Sequence, residues 1–256
     1  MRGTISCLAN RVSFDPSRYV RLMAAGQQVG WLRPALAARL AAWPGVFALT
    51  PGEVTLLEEK ALPAVVEELA REGLIPGWRN ERYRIADLFD IERAAARPLG
   101  LTTRAVHVNG LVTGGKMWLA RRASSKPIDP GMLDNLVGGG VSAGLSVEEV
   151  LVKEAWEEAG IDAGLARAAT RGGTLRILRE VPEGVQSEVI YVYDLALPPD
   201  FRPGNQDGEV CEFILLPFEK ILEKENLTHE AALVAADYFR RSARPGSAPA
   251  GADRAT

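Results

Sequence analysis

The stretch GGGVSAGLSVEEVLVKEAWEEAGI, residues 138–161, decides how the rest of this 256-residue chain is read. It sets five glutamates and one lysine on what is otherwise the pattern of a packed helix. Ser146 followed by Glu149 has the spacing of a capping box, and Gly160 suits the position just past a C-terminus, so a helix is expected over 147–159. Turning about 100° per residue from Val147 places Leu151 near 40°, Ala155 near 80° and Val150 near 300°, an apolar arc that must face the protein. Glu158, at about 20°, and Glu154, at about 340°, fall inside that arc, and Glu157, at about 280°, flanks it. Glu149 and Lys153 project elsewhere and can form a surface i,i+4 pair.

A solvated charged face accounts for Glu148, Glu149 and Lys153 but not for Glu154 and Glu158. Ionised carboxylates turned inward are costly unless paired or bound to a cation, and three within one turn repel one another. A divalent cation answers both difficulties. All-oxygen ligation suits Mg²⁺ or Mn²⁺, which commonly act with substrate phosphates, and no histidine or thiol lies nearby for zinc. The glycines of NLVGGG, residues 135–140, permit close backbone approach, and a carbonyl there is a candidate to complete a metal shell.

The composition bounds what such a site can serve. With 47% hydrophobic and 25% charged residues the chain can bury a sizeable core, and a net charge of −3 gives no electrostatic reason for a nucleic-acid partner. Cys7 and Cys211 lie far apart, which sets aside a disulfide framework and a thiolate zinc site and fits a reducing compartment. No apolar run has signal-peptide form or reaches about 18 residues, so a cytoplasmic protein without a membrane partner is expected.

Texture changes along the chain. DPSRYVRLMAAG, residues 15–26, predicts a helix with Asp15 as cap, Pro16 at its first position and Gly26 as its stop. A second helix is expected from Pro34, a hairpin about Pro51-Gly52, and a third helix closed by Gly73. Longer strands begin near Val106, with hairpins about Gly114-Gly115 and around REVPEGVQSEVIYVYDLAL, residues 179–197. CEFILLPFEKIL reads as a strand then a helix, and THEAALVAADYFRR as the last helix. The expected organisation is an α+β domain over 1–104, a second domain over 105–242 and a disordered tail over 243–256.

The helix with its glycines resembles the Nudix box, which runs Gly, five residues, Glu, seven residues, then Arg-Glu-apolar-x-Glu-Glu-x-Gly-apolar. Gly139 opens it here and Lys153-Glu154-Ala155-Trp156-Glu157-Glu158-Ala159-Gly160-Ile161 closes it. Leu145 stands where the pattern has its first Glu, Lys153 replaces the Arg, and Ala155 is smaller than the usual aliphatic. GWRNERYRI, IERAAARPLG, VHVNG and KPIDPGMLDNLVGGG extend the likeness over about residues 28–240. Together they resemble Nudix proteins with an N-terminal domain of undefined function, similar to the Nudix part of fungal thiamine pyrophosphokinase fusions. The resemblance implies an α/β/α Nudix sandwich preceded by a smaller α+β N-terminal domain. It also implies hydrolysis of oxidised thiamine diphosphates to monophosphates.

By that resemblance Glu154 and Glu158 are assigned chiefly to metal, with Glu157 sharing the cluster and Gly139 among the metal-site residues. The general base is one of these or a distal acid, for which Glu209 and Glu212 are candidates. Lys126, Arg121 and Arg122 are candidates to hold the diphosphate. Trp78, with Arg79 and Glu81, is a candidate for a ring-binding wall. His107 alternates with valines on a strand and suits a structural hydrogen bond; His229 reads as a surface residue. Other diphosphates (ADP-ribose, nucleotide sugars, coenzyme A) remain open as substrates, as does a non-catalytic ligand sensor. An isoprenyl diphosphate isomerase would want a pocket cysteine in a convincing motif. The small-molecule diphosphate is the expected partner, and a homodimer is among the states allowed.

Overall fold

The computed structural model describes residues 14–243; Cys7 and the expected tail, but for Ala243, lie outside them. Asp15 does cap a turn, accepting from the Ser17 N–H, but the turn is a single 3₁₀ one, Pro16–Arg18. The chain then enters strand β1, Val20–Ala24. The helix expected over this stretch is thus a strand. Period-two burial, with Leu22 and Ala24 inside and Arg21 and Met23 turned away, wins over the cap, and Ala25 and Gly26, at φ 47° and 77°, turn tightly into β2, Gln27–Leu32.

The other expected elements of the first half form. Helix α1 is Pro34–Leu40, β3 Phe47–Thr50 and β4 Glu53–Leu56 make the hairpin, and α2 is Leu62–Arg71. The four strands order as β2-β1-β4-β3, with β1 parallel to β4. Leu22, Leu32, Leu40, Val54 and Leu69 form the core between sheet and helices. The hairpin β5, Arg82–Ile85, and β6, Phe89–Glu92, extends that core through Tyr83, Ile85 and Ile91.

The second half is built on a seven-stranded sheet. It comprises β7 Thr102–Val112, β8 Lys116–Arg122, β9 Leu133–Asn135, β10 Val137–Gly140, β11 Thr170–Val181, β12 Gly184–Ala196 and β13 Val210–Pro217. Its main path is β11-β12-β7-β8-β13, with β10 paired to β7 and β9 to β8. β7 and β12 run parallel, Thr102 beside Ser187 and Ala105 beside Ile190. Helix α3, Val147–Ala159, with α4, Ala163–Arg167, covers one face. There Val106 and Val108 of β7 meet Val150, Leu151 and Ala155. Helix α6, His229–Ser242, preceded by α5, Phe218–Leu222, covers the other, where Ala105, Ile190 and Val192 meet Val234. Period-two alternation along β7 therefore feeds two helical layers, the α/β/α sandwich.

The halves are joined by backbone. The Val185 N–H donates to the Arg97 carbonyl at 2.9 Å and the Ala143 N–H to the Arg82 carbonyl at 2.7 Å, while the Arg33 guanidinium donates to the Val181 carbonyl at 2.7 Å.

Candidate active site

Helix α3 has the ends its sequence calls for. Ser146 accepts from the Glu149 N–H, Glu149 accepts from the Ser146 N–H, and Gly160 closes the helix in the left-handed region at φ 66°. Fixed ends fix the phase, and the phase carries Glu154 and Glu158 inward. Glu158 is 6% exposed, and its Oε2 accepts the Gly138 N–H at 2.7 Å. Burial, with the charges of Glu154 and Asp134, pushes its carboxyl well above the usual range, outweighing the Gly138 N–H and Lys126. Glu154 is raised too, by burial first and then by Glu157 and Glu209, against the Lys153 ammonium that donates to it at 3.0 Å.

Gly139 has no room for a side chain. A Cβ there would stand 2.3 Å from Glu154 Cγ and 2.4 Å from its Cδ. Strand β10 is thus a floor against which the carboxylates lie. Lys153, in the place of the box arginine, also donates to Glu157, so one ammonium holds two of the three acids.

Glu209 arrives from the loop before β13. The Ala123 N–H donates to its carbonyl at 2.9 Å, and the Lys126 ammonium pairs with its carboxylate. Burial raises that carboxyl, but Lys126, Arg93 and Arg122 outweigh it and hold it below the ordinary value. The structure therefore brings Glu154, Glu157, Glu158, Gly139, Lys126 and Glu209 together. Arg121 stays outside, donating to Glu212 at 2.5 Å and to the Gly131 carbonyl, while Arg122 donates to Asp134 at 3.1 Å. Cys211 is exposed, and His107 makes a buried 2.8 Å hydrogen bond to Asn135. His229, half-buried rather than on the surface, opens α6.

Two residues absent from the sequence-derived set complete the surroundings. Tyr83 and Arg93 come from the β5–β6 region, with the guanidinium 5.4 Å over the tyrosine ring. Both line a cavity of about 370 Å³ between the halves, together with Leu101, Thr103, Ile128 and Glu188. Glu154, Glu157, Glu158 and Glu209 do not line it, but the Tyr83 hydroxyl lies against Gly140, next along the strand from the Gly139 that meets Glu154, so the cavity begins where the glycine strand ends. Glu188 is pushed up by burial and by Glu230. Trp78 lies elsewhere: it lines a separate pocket with Pro63 and Val66, and its indole N–H donates to Asn80 at 2.9 Å. The alternation ERYRI, residues 81–85, placing Glu81, Tyr83 and Ile85 on one face, was the signal that could have marked Tyr83.

The donors here are carboxylate oxygens, and Glu158 is buried with only a backbone N–H on it and the charge of Glu154 near it, a donor set that fits a hard divalent cation. Among the described residues no three acids, histidines or cysteines already converge in a ligating group, with Lys153 holding Glu154 and Glu157 and the Gly138 N–H holding Glu158.

Comparison with known proteins agrees with this architecture. Residues 4–103 match the family model described as a domain of unknown function (DUF4743), and residues 103–238 match the NUDIX domain. Nudix hydrolase 24, chloroplastic, of Arabidopsis thaliana is 43% identical over 171 residues, 63% of this chain and 47% of that protein. An uncharacterized protein of Saccharomyces cerevisiae is 31% identical over 208 residues, 69% of this chain and 61% of that protein. The chain spans about half the length of the first curated relatives it matches. The crystal structure of DR0079 from Deinococcus radiodurans is 25% identical, with a TM-score of 0.44 over 56% of this chain and 83% of that one. A NUDIX match over more than half the chain, on a helix whose acids lie against a glycine strand, means that this chain belongs to the Nudix family, with a DUF4743 segment ahead of its NUDIX domain.

Proposed function

We propose that the protein is a metal-dependent diphosphatase that hydrolyses damaged (oxy or oxo) thiamine diphosphate to the monophosphate and phosphate. One arrangement carries the reading: the buried Glu158 and the half-buried Glu154, set against Gly138 and Gly139, with Tyr83, which lines the cavity, packed on the next residue of that strand, Gly140.

Glu154 and Glu158, with Glu157 at the rim, are the residues that would hold Mg²⁺ or Mn²⁺. Such a cation, when bound, supplies charge neutralisation at phosphoryl oxygens and lowers the pKa of a coordinated water. Lys126 and Arg93 add positive charge facing the diphosphate. The proton of the attacking water has carboxylate acceptors in the cluster and in Glu209. As the water oxygen joins phosphorus, the bridging P–O bond breaks and the monophosphate leaves. None of these groups distinguishes one diphosphate from another.

Substrate choice belongs to the cavity. Tyr83, Leu101 and Ile128 offer apolar walls for a flat ring, and Gln186 and Glu188 offer polar partners. The thiamine assignment is supported by the sequence resemblance over residues 28–240. It is tested by phosphate release from thiamine diphosphate, its oxy and oxo analogues, ADP-ribose, nucleotide sugars and coenzyme A. Highest kcat/KM on the oxidised thiamine compounds is expected. A screen led by ADP-ribose or a nucleotide sugar overturns the substrate and keeps the diphosphatase; no turnover on any overturns both.

A further inference from the structure

The loop Val141–Ser146 connects β10 to α3 and so sets where Glu154, Glu157 and Glu158 stand. Much of what holds this loop comes from the other half of the chain. The Ala143 N–H donates to the Arg82 carbonyl at 2.7 Å, and Tyr83 forms a β-bridge with Ser142. The Tyr83 hydroxyl packs so close to Gly140 that a Cβ there would fall 1.8 Å from it. At the centre is Glu81. One of its oxygens accepts from the Ser142 hydroxyl at 2.7 Å and the other from Arg93 Nη1 at 2.7 Å.

Glu81 thereby joins three parts of the site. Through Ser142 it reaches the entry to α3, and through Arg93 it orients the guanidinium whose charge acts on Glu209. Lys153, which holds Glu154 and Glu157, acts electrostatically on Glu81 as well. The loop itself contains no acid: Val141, Ser142, Ala143, Gly144, Leu145 and Ser146 carry only hydroxyl and apolar side chains. Glu149 of α3 holds the loop's far end at Ser146, and a carboxylate lent by the first half is the anionic partner at Ser142.

We propose that Glu81 is a positioning residue for the hydrolytic site: from the DUF4743 half it fixes the loop before α3 and the Arg93 guanidinium in one carboxylate. The role rests on the diphosphatase reading for its kinetic consequence but not for its structural one. The competing view makes Glu81 a stabilising group alone, ion-paired to Arg93 within its own half and hydrogen-bonded to Ser142 across the interface. Because the acids of α3 must be placed within a fraction of an ångström, loosening the loop acts on turnover more than on substrate affinity.

Three variants of the full chain separate these views: Glu81→Ala, Glu81→Gln and Ser142→Ala. Hydrogen exchange on the metal-free protein reads the loop directly. Amides of Ala143 and Val150 are expected to exchange about tenfold faster or more in Glu81→Ala, with the β11–β12 hairpin unchanged. On the best diphosphate, kcat is expected to fall about tenfold or more, with KM within about threefold. Glu81→Gln, which keeps an oxygen for Ser142, should recover part of the loss, and Ser142→Ala should reproduce part of it. If Glu81→Ala does not fold, the other two decide. Unchanged exchange at Ala143 and Val150 together with unchanged kcat, or a loss confined to KM, overturns the proposal. A wild-type protein inactive on every diphosphate refutes the proposed function instead and leaves exchange to decide this one.

Discussion

Glu158 shows how much one side chain carries. Replacing it with glutamine keeps an oxygen for the Gly138 N–H and removes the charge that burial disfavours. Glu158→Gln is thus expected to lower kcat more than about tenfold. Its melting temperature without metal should be unchanged or raised; turnover near wild type at saturating Mg²⁺ would count against the metal cluster. Gly139→Ala drives a methyl into the Glu154 side chain, and overpacking of that kind costs about 1–3 kcal/mol. Denaturant unfolding and turnover should both register it. Trp78→Ala, by contrast, should leave kcat/KM within about threefold, since its pocket holds neither the acids of α3 nor Tyr83 and Arg93. The inward acids were legible because helical phase is a local property that one sequence carries whole. Tyr83 and Arg93 were not singled out, and Glu81 was read as part of a ring-binding wall with Trp78, because the decisive partners lie tens of residues away, as with Glu81 and Ser142, 61 positions apart.

Elements were readable where their ends are marked and ambiguous where two periods fit. The Ser146–Glu149 box and Gly160 define α3, and Ser146→Ala is expected to cost about 1 kcal/mol by thermal unfolding. The segment after Asp15 was ambiguous because five residues are too few to separate period 3.6 from period 2. Tertiary pairing with β2 and β4 then decides for strand. Helix α6 offers a pH test. Asp237, 5% exposed, accepts from Arg240 and Arg241 at 2.7 Å each. Burial raises its carboxyl, but the two guanidinium groups outweigh burial and leave it below the ordinary aspartate value. A depressed folded-state pKa contributes stability that is present above the unfolded value, about 3.9, and lost as pH falls through the folded one. Asp237→Asn should therefore destabilise by about 1–3 kcal/mol at pH 7, with the gap closing below about pH 4. A constant gap across that range would assign the loss to packing.

At the scale of the molecule, the sandwich was legible through the family resemblance that residues 139–161 carry, whereas the docking of the two halves had no local signature. Several of its ties are backbone groups such as Val185 N–H to Arg97 carbonyl, available to any sequence. Cation binding to the acids should stabilise the whole fold by mass action, about 1.4 kcal/mol at tenfold over the dissociation constant. Melting temperature should rise with millimolar Mg²⁺ or Mn²⁺, and Glu154→Ala should blunt the rise. The parallel pairing of β7 with β12 bears on a different property, the order in which the chain acquires its shape. Thr102 and Ser187 touch across 85 positions, a closure whose entropy costs about 4 kcal/mol before any contact repays it. The β11–β12 hairpin and the first-half sheet close over much shorter spans, and the first half leaves the ribosome earlier. In pulse-labelled refolding, β11–β12 amides should gain protection first and β7 amides facing β12 last, so joining the hairpin to the strand that carries the catalytic floor is the late event in this protein's folding.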